Sequence, residues 1–198
     1  MCLLRTAKYF HKTRETEIYI KINLDGIGKT NLNTSIPFLD HMINQISCHG
    51  LIDLNIKAFG DLNVDYHHLV EDIGITFGKV FKKAIGKKKG ISRYGFSYIP
   101  LDESLSRVVI DISGRSYLNY NVSFLNSYIG FFCLDLIVEF FIAFVNNAKI
   151  TLHIDNLKGV NSHHQCESIF KAFGHALKMA ISFNKRICGI IPSTKGKL

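Results

Sequence analysis

The feature that most constrains this 198-residue chain is an internal duplication. Residues His67 to Ile85 lie over His163 to Ile181, without a gap, at a constant offset of 96 residues (163 − 67). Identities fall on His67/His163, His68/His164, Glu71/Glu167, Ile73/Ile169, Phe77/Phe173, Gly78/Gly174, Lys82/Lys178, Ala84/Ala180 and Ile85/Ile181. A chain that repeats itself this way is built from two similar units. In each copy apolar residues (Ile73, Phe77, Val80, Phe81, Ala84; Ile169, Phe173, Ala176, Leu177, Ala180) recur every three or four positions, which predicts a helix with one buried face. Asp65 and Asn161 stand at equivalent places as N-caps.

The repeat extends upstream. Asp53 to Ile56 and Thr151 to Ile154 alternate like strands, as do Ile18, Ile20, Ile22, Leu24 before Asp25-Gly26 and Val108, Ile110, Ile112 before Ser113-Gly114. The last pair is offset by 88 (114 − 26), so the second half carries an insertion of about ten residues. Leu39 to Ser47 reads as a helix stopped by His49-Gly50, and Leu136 to Val145 as its counterpart. The plan is α+β, an internal duplication of a strand, strand, helix, strand, helix unit. The halves run from 14 to 92 and from 93 to 190. They form one domain over residues 1–198, because each half alone would have a thin core.

Composition narrows the class. With 47% hydrophobic and 20% charged residues and three prolines, the chain is globular, not disordered. Five scattered cysteines (Cys2, Cys48, Cys133, Cys166, Cys188) form no CxxC pair and read as reduced thiols in a cytoplasmic protein. Arg5, Lys8, His11 and Lys12 interrupt any N-terminal apolar run, so no signal peptide is expected. The most hydrophobic window, Phe131 to Val145, holds Asp135 and Glu139 and is shorter than the ~20 residues of a membrane span; it reads as a buried helix. A net charge of +8 admits an anionic partner, but the densest run (Lys82, Lys83, Lys87, Lys88, Lys89) has no aromatic stacking platform. That run reads as a solvated helix end, and neither nucleic acid nor membrane is expected as a partner.

The duplicated HHxxE carries the chemistry. His67 and Glu71 are spaced i, i+4 and His68 and Glu71 i, i+3, so either histidine can share an ion with the carboxylate. Adjacent histidines point ~100° apart on a helix and cannot easily chelate one ion together. Four imidazoles and two carboxylates therefore suggest two metal sites, each motif feeding both. Nitrogen and carboxylate ligands suit Mn²⁺, Fe²⁺ or Zn²⁺ better than Mg²⁺ or Ca²⁺. His41 begins another helix and is a candidate to complete a site. Arg93, Arg115 and the tail residues Ser193 and Lys195 are the candidates for a phosphate monoester.

These residues resemble the imidazoleglycerol-phosphate dehydratase family. The resemblance runs from about Arg14 to Leu198. It is carried by Arg14-Glu15-Thr16, Asn23-Leu24-Asp25-Gly26, Phe38-Leu39-Asp40-His41-Met42, His49-Gly50, His67-His68-x-x-Glu71-Asp72 and Ile91-Ser92-Arg93-Tyr94-Gly95. In the second half it continues through Pro100-Leu101-Asp102-Glu103, Asp111-x-Ser113-Gly114-Arg115, Leu152-His153-Ile154, Asn161-x-His163-His164-x-x-Glu167, Phe170-Lys171-Ala172 and Pro192-Ser193-x-Lys195-Gly196.

The resemblance implies two sheets with helices packed between them, each half having a fold also found in a ribosomal protein. It implies dehydration of imidazole glycerol phosphate to imidazole acetol phosphate in histidine biosynthesis, through an imidazolate and a diazafulvene-like intermediate. Two Mn²⁺ ions per active site, an assembly of 24 subunits built from trimers and, in some members, a fused histidinol-phosphatase domain are implied too. By position the metal ligands fall on His41, His67, His68, Glu71, His163, His164 and Glu167, and the acid/base group on Glu15. Substrate contacts fall on Gln45 and His49, and phosphate contacts on Arg93, Arg115, Lys171, Ser193 and Lys195.

Two positions depart from the family. Tyr66 stands where an aspartate is usual, and the eighth ligand, a histidine, falls where this chain reads Val138-Glu139-Phe140-Phe141. Glu139 is the repeat partner of His41, at an offset of 98, so a carboxylate replaces an imidazole there. A one-residue slip would instead match Glu139 to the glutamate that commonly precedes the family histidine, leaving no ligand. The rival readings are a weakly active dehydratase, a metal-dependent phosphoester hydrolase and an RNA-binding protein.

Overall fold

The computed structural model describes residues 4–198. Alternating apolar residues make the central strands. In β2 (Thr16–Asn23) Ile18, Ile20 and Ile22 all face inward and are fully buried, as are Val108 and Ile110 of β6 (Ser104–Asp111). Strands β1 (Thr6–Lys12), β3 (Thr30–Asn33) and β4 (Asp53–Gly60) complete the first sheet in the order β1-β2-β4-β3. Strands β5 (Tyr94–Leu101), β7 (Tyr117–Asn121) and β10 (Thr151–Lys158) complete the second in the order β5-β6-β10-β7. The two sheets share one topology. In each, the strand before the first helix runs parallel to the strand after it and the remaining pairs are antiparallel.

Each of these sheets therefore holds four strands, one more than the strand, strand, helix, strand, helix plan expects. Edge strand β1 lies ahead of residue 14 and pairs with β2 from Thr6↔Asn23 to Lys12↔Glu17. Of its residues only Ala7 is buried, and Thr30–Asn33 is short and polar, so neither shows the alternation that marks β2. The insertion in the second half holds a hairpin of β8 (Tyr128–Ile129) and β9 (Phe132–Cys133). The apolar window from Phe131 thus begins in that hairpin, with Phe131 91% exposed, and only its second part is helical.

The helices are α1 (Pro37–Gly50), α2 (His67–Ile85), α3 (Leu136–Ala148) and α4 (Ser162–Ile181). Pro37 opens α1, its ring tolerated in the first turn. Gly50 does not stop the helix. Leu51 does, at φ 50°, and Lys149 ends α3 in the same left-handed conformation at φ 58°. Their cap N–H groups donate to Ser47 and Val145. Both pairs are offset by 98, which places His41 and Glu139 at equivalent positions of the two repeats.

The helices lie between the sheets: α2 packs on β1 and β2, α4 on β5 and β6, and the layers meet through α2 against α3 and α1 against α4. Those two crossings are the repeat's own symmetry. Gly78 and Gly174 are retained in both copies because another helix backbone lies against each. A Cβ on Gly78 would stand 2.5 Å from the Phe144 carbonyl oxygen, and one on Gly174 3.0 Å from that of Ile46. Phe140, Phe141 and Phe144 of α3 reach Phe77 and Phe81 on one side and Phe170 and Phe173 on the other, with ring centroids 5.1–5.7 Å apart in the pairs Phe77–Phe144, Phe81–Phe144, Phe144–Phe173 and Phe141–Phe170. Burying each ring stabilises by about 1.5–3 kcal/mol. The two halves share this core.

Candidate active site

Helix α1 carries His41, Gln45 and His49 one turn apart, and α4 carries His163, Glu167, Lys171 and His175 likewise. Because α1 packs on α4, the two stripes face each other along one seam. Glu167 Oε2 lies 3.3 Å from His41 Nε2 and 3.2 Å from His163 Nε2, and its Oε1 accepts from Lys171 at 2.7 Å. Burial works to raise the Glu167 pKa, but Lys171 and His41 outweigh it and hold the carboxyl near 2. Gln45 is buried and donates to the His41 carbonyl at 3.4 Å. His49 lies 5.1 Å from His175, ring to ring, and burial, then His175 and Lys171, lower its pKa and keep it neutral.

The HHxxE motifs sit at helix starts. Asn161 caps α4, accepting from the N–H groups of His163 and His164. Asp65 accepts from His67 N–H at 2.8 Å, but stands one residue ahead of the α2 N-cap, Tyr66, whose ring packs on the core. The rings of His67 and His68 stand at 89° with centroids 6.3 Å apart, the divergence expected of helix neighbours. His67 Nε2 approaches Glu71 at 3.7 Å. His68 turns instead to Asp61, 3.0 Å from Nδ1, with Glu15 at 3.7 Å. His164 Nδ1 pairs with Glu103 at 2.7 Å. That bond, with two backbone N–H donors, holds Glu103 near 2, and Glu103 in turn raises the His164 pKa.

Among the described residues, two groups of three potential ligands come together: His41 with His163 and Glu167, and His68 with Glu15 and Asp61. No group combines the two HHxxE motifs, and Glu139 joins none. In this chain the motifs sit on different helix pairs, with His67 and Glu71 on the α2–α3 side.

The expected phosphate residues divide. Arg93 gives its fork to Asp111 (2.7 and 3.1 Å) and a third bond to the Pro192 carbonyl at 2.8 Å, so it anchors the C-terminal tail. Arg115 and Lys195 are exposed, and Ser193 Oγ accepts from Lys195 N–H at 3.2 Å. The tail returns along the end of β6, Leu198 lying against Gly114. Lys171 lies away from this cluster in sequence and element, on the α1–α4 seam beside Glu167.

Asp61 and His175 were given no role by sequence reasoning, nor was Glu103. Glu103 was detectable, since it lies at the 88-residue offset from Glu15. Asp61 has no acidic repeat partner to mark it, its equivalent being Val160, since Gly60 and Gly159 lie against equivalent neighbours. Cys48, Cys133, Cys166 and Cys188 are unpaired, and Cys2 lies outside the described residues. No helix among the described residues is long and apolar enough to cross a membrane.

Residues 34–177 match the family model of imidazoleglycerol-phosphate dehydratase. The chain is 61% identical over 198 residues to the imidazoleglycerol-phosphate dehydratase of Herminiimonas arsenicoxydans, covering 100% of both. It is 60% identical to that of Chromobacterium violaceum over 98% of this chain and 99% of the relative. The Staphylococcus aureus dehydratase structure superposes with a TM-score of 0.83 at 42% identity, over 90% of this chain and 99% of that one. The Pyrococcus furiosus structure gives 0.82 at 34%, over 96% and 100%. The chain belongs to the imidazoleglycerol-phosphate dehydratase family, the hydro-lyases of histidine biosynthesis.

Proposed function

We propose that the chain dehydrates imidazole glycerol phosphate to imidazole acetol phosphate with two Mn²⁺ ions per active site, each site completed by a second copy of the chain. The triangle of His41, His163 and Glu167 carries this reading. Its 3.2–3.3 Å edges match the ~3 Å between neighbouring donor atoms around a divalent ion with bonds of ~2.1 Å. The donor set, two imidazoles and a carboxylate, suits Mn²⁺. His67 with Glu71 offers the start of another set, and His68 and His164, paired at Nδ1, keep Nε2 free for an ion. The divergence of adjacent histidines favours completion by another copy, and an assembly of 24 subunits built from trimers would supply it.

Bound metal supplies Lewis acidity toward the substrate's ring nitrogens and a template for the ring. The protein's own groups do the rest. Glu15, 56% exposed, stands ready to take the proton from the side-chain carbon and to give it to the neighbouring hydroxyl, which leaves as water. The enol left behind gains a proton at carbon and becomes the ketone. Neutral His49 can give or accept a hydrogen bond, and buried Gln45 narrows the seam around the ring. Lys195, Ser193 and Arg115 face the phosphate, with Arg93 holding the tail in place. The test is turnover by Mn²⁺-loaded protein of imidazole glycerol phosphate against 4-nitrophenyl phosphate. Dehydration without phosphate release supports the reading; phosphate release without dehydration makes the protein a hydrolase and overturns it.

A further inference from the structure

The symmetry between the halves breaks at the second histidine of each HHxxE motif. Glu103, on the turn between β5 and β6, accepts from His164 Nδ1 at 2.7 Å and from the N–H groups of Val160 and Asn161 at 3.2 and 2.9 Å. Its repeat partner is Glu15. By symmetry Glu15 should hold His68, yet it stands 3.7 Å away, beyond a hydrogen bond. Asp61 has taken that place at 3.0 Å, although its second oxygen, Oδ1, is buried without a partner, a costly arrangement. The second half cannot make the same exchange. Gly60 lies against Thr16 and Leu69 and Gly159 against their repeat partners Ser104 and Gln165, so the position equivalent to Asp61 is held by Val160, whose apolar side chain cannot pair with a histidine.

Of the two neutral tautomers, a carboxylate beside Nδ1 favours the one that carries its proton there, which leaves Nε2 as the nitrogen for an ion. We infer that Asp61 and Glu103 are positioning residues that fix the ligating tautomer of His68 and His164, and that Asp61, by relieving Glu15 of this task, leaves it free to act on substrate. The inference rests on the metal-dependent reading above. It explains why two glutamates at equivalent positions differ in environment, one held by three donors and one loose at the edge of the site.

The test uses the full chain and three near-isosteric variants, Asp61→Asn, Glu103→Gln and Glu15→Gln. A neutral amide donates as readily as it accepts, so it no longer dictates the tautomer. Free Mn²⁺ is measured by electron paramagnetic resonance, and ring tautomers of metal-free protein by nitrogen-15 NMR. Asp61→Asn and Glu103→Gln should each weaken Mn²⁺ binding 10–100-fold, the usual effect of removing a group that orients a ligating histidine, and mix the tautomers of His68 and His164 respectively. Glu15→Gln should keep Mn²⁺ affinity within about twofold and leave the His68 tautomer intact while turnover is lost. Should Glu15→Gln disturb His68 as Asp61→Asn does, or should Asp61→Asn and Glu103→Gln bind Mn²⁺ like wild type, the inference is overturned and the metal reading survives. A wild-type chain that binds no Mn²⁺ overturns both.

Discussion

Gly78→Ala tests the helix crossing that the repeat preserves. The new Cβ would lie 2.5 Å from the Phe144 carbonyl oxygen, 2.7 Å from Asn147 Cβ and 2.9 Å from the Ala148 nitrogen. Two of these neighbours are backbone, so α2 and α3 must separate by most of an ångström. Overpacking of this kind costs about 3 kcal/mol at the upper end of its usual range. Alanine returns about 1 kcal/mol of helix propensity. The net loss is about 2 kcal/mol, or a fall in Tm of about 4–8 °C for a chain of this size. At the equivalent Gly174 the closest atoms are 3.0, 3.1 and 3.2 Å away, so a shift of a few tenths of an ångström suffices. Propensity then nearly offsets strain, and Gly174→Ala should stay within about 2 °C of wild type. Thermal unfolding of both variants in chelator, followed by circular dichroism, measures this. A Gly78→Ala protein as stable as wild type would refute the close-crossing argument.

Arg93→Ala should raise KM and lower Tm together, because losing its charge-assisted bonds, about 1.5–3 kcal/mol, frees the tail and leaves Asp111 unpaired. Lys195→Ala should raise KM alone, and equal Tm losses in the two variants would contradict this division. Glu139→Ala should lose one metal equivalent if the carboxylate takes the role of His41, the equivalence set by the shared helix ends; full occupancy with unchanged turnover would refute ligation there. Glu167 has its folded pKa lowered from 4.5 to about 2, so its contribution is fully present above about 4.5 and is lost as pH falls toward 2. Denaturation midpoints of chelated protein should therefore fall across that window, and less steeply in Glu167→Gln; parallel profiles would count against the pairing.

The parts of the fold that bury one face were legible in the residues. Ile18, Ile20 and Ile22 alternate because every second side chain of β2 enters the core, and Phe77 and Phe173 mark the buried stripes of α2 and α4. Thr6–Lys12 and Thr30–Asn33 escaped because edge strands bury too little to impose a pattern. The clustering of His41 with His163 and Glu167 depends on α1 lying against α4, a contact no local spacing encodes. The duplication pointed to the HHxxE motifs, the start of another helix pointed to His41, and the resemblance added Gln45 and His49. Arg93 shows the opposite limit: its charge suggested phosphate, while its pairing with Asp111, which only the folding of β5 against β6 brings about, leaves no mark in the residue spacing.

The central claim, a metal-dependent dehydratase, is tested most directly by titrating Mn²⁺ into verified metal-free protein while following dehydration of imidazole glycerol phosphate. The account predicts no turnover without metal and activity that rises with bound Mn²⁺ to a plateau at two ions per active site. Full turnover by the metal-free protein, or a plateau unrelated to bound Mn²⁺, would contradict it.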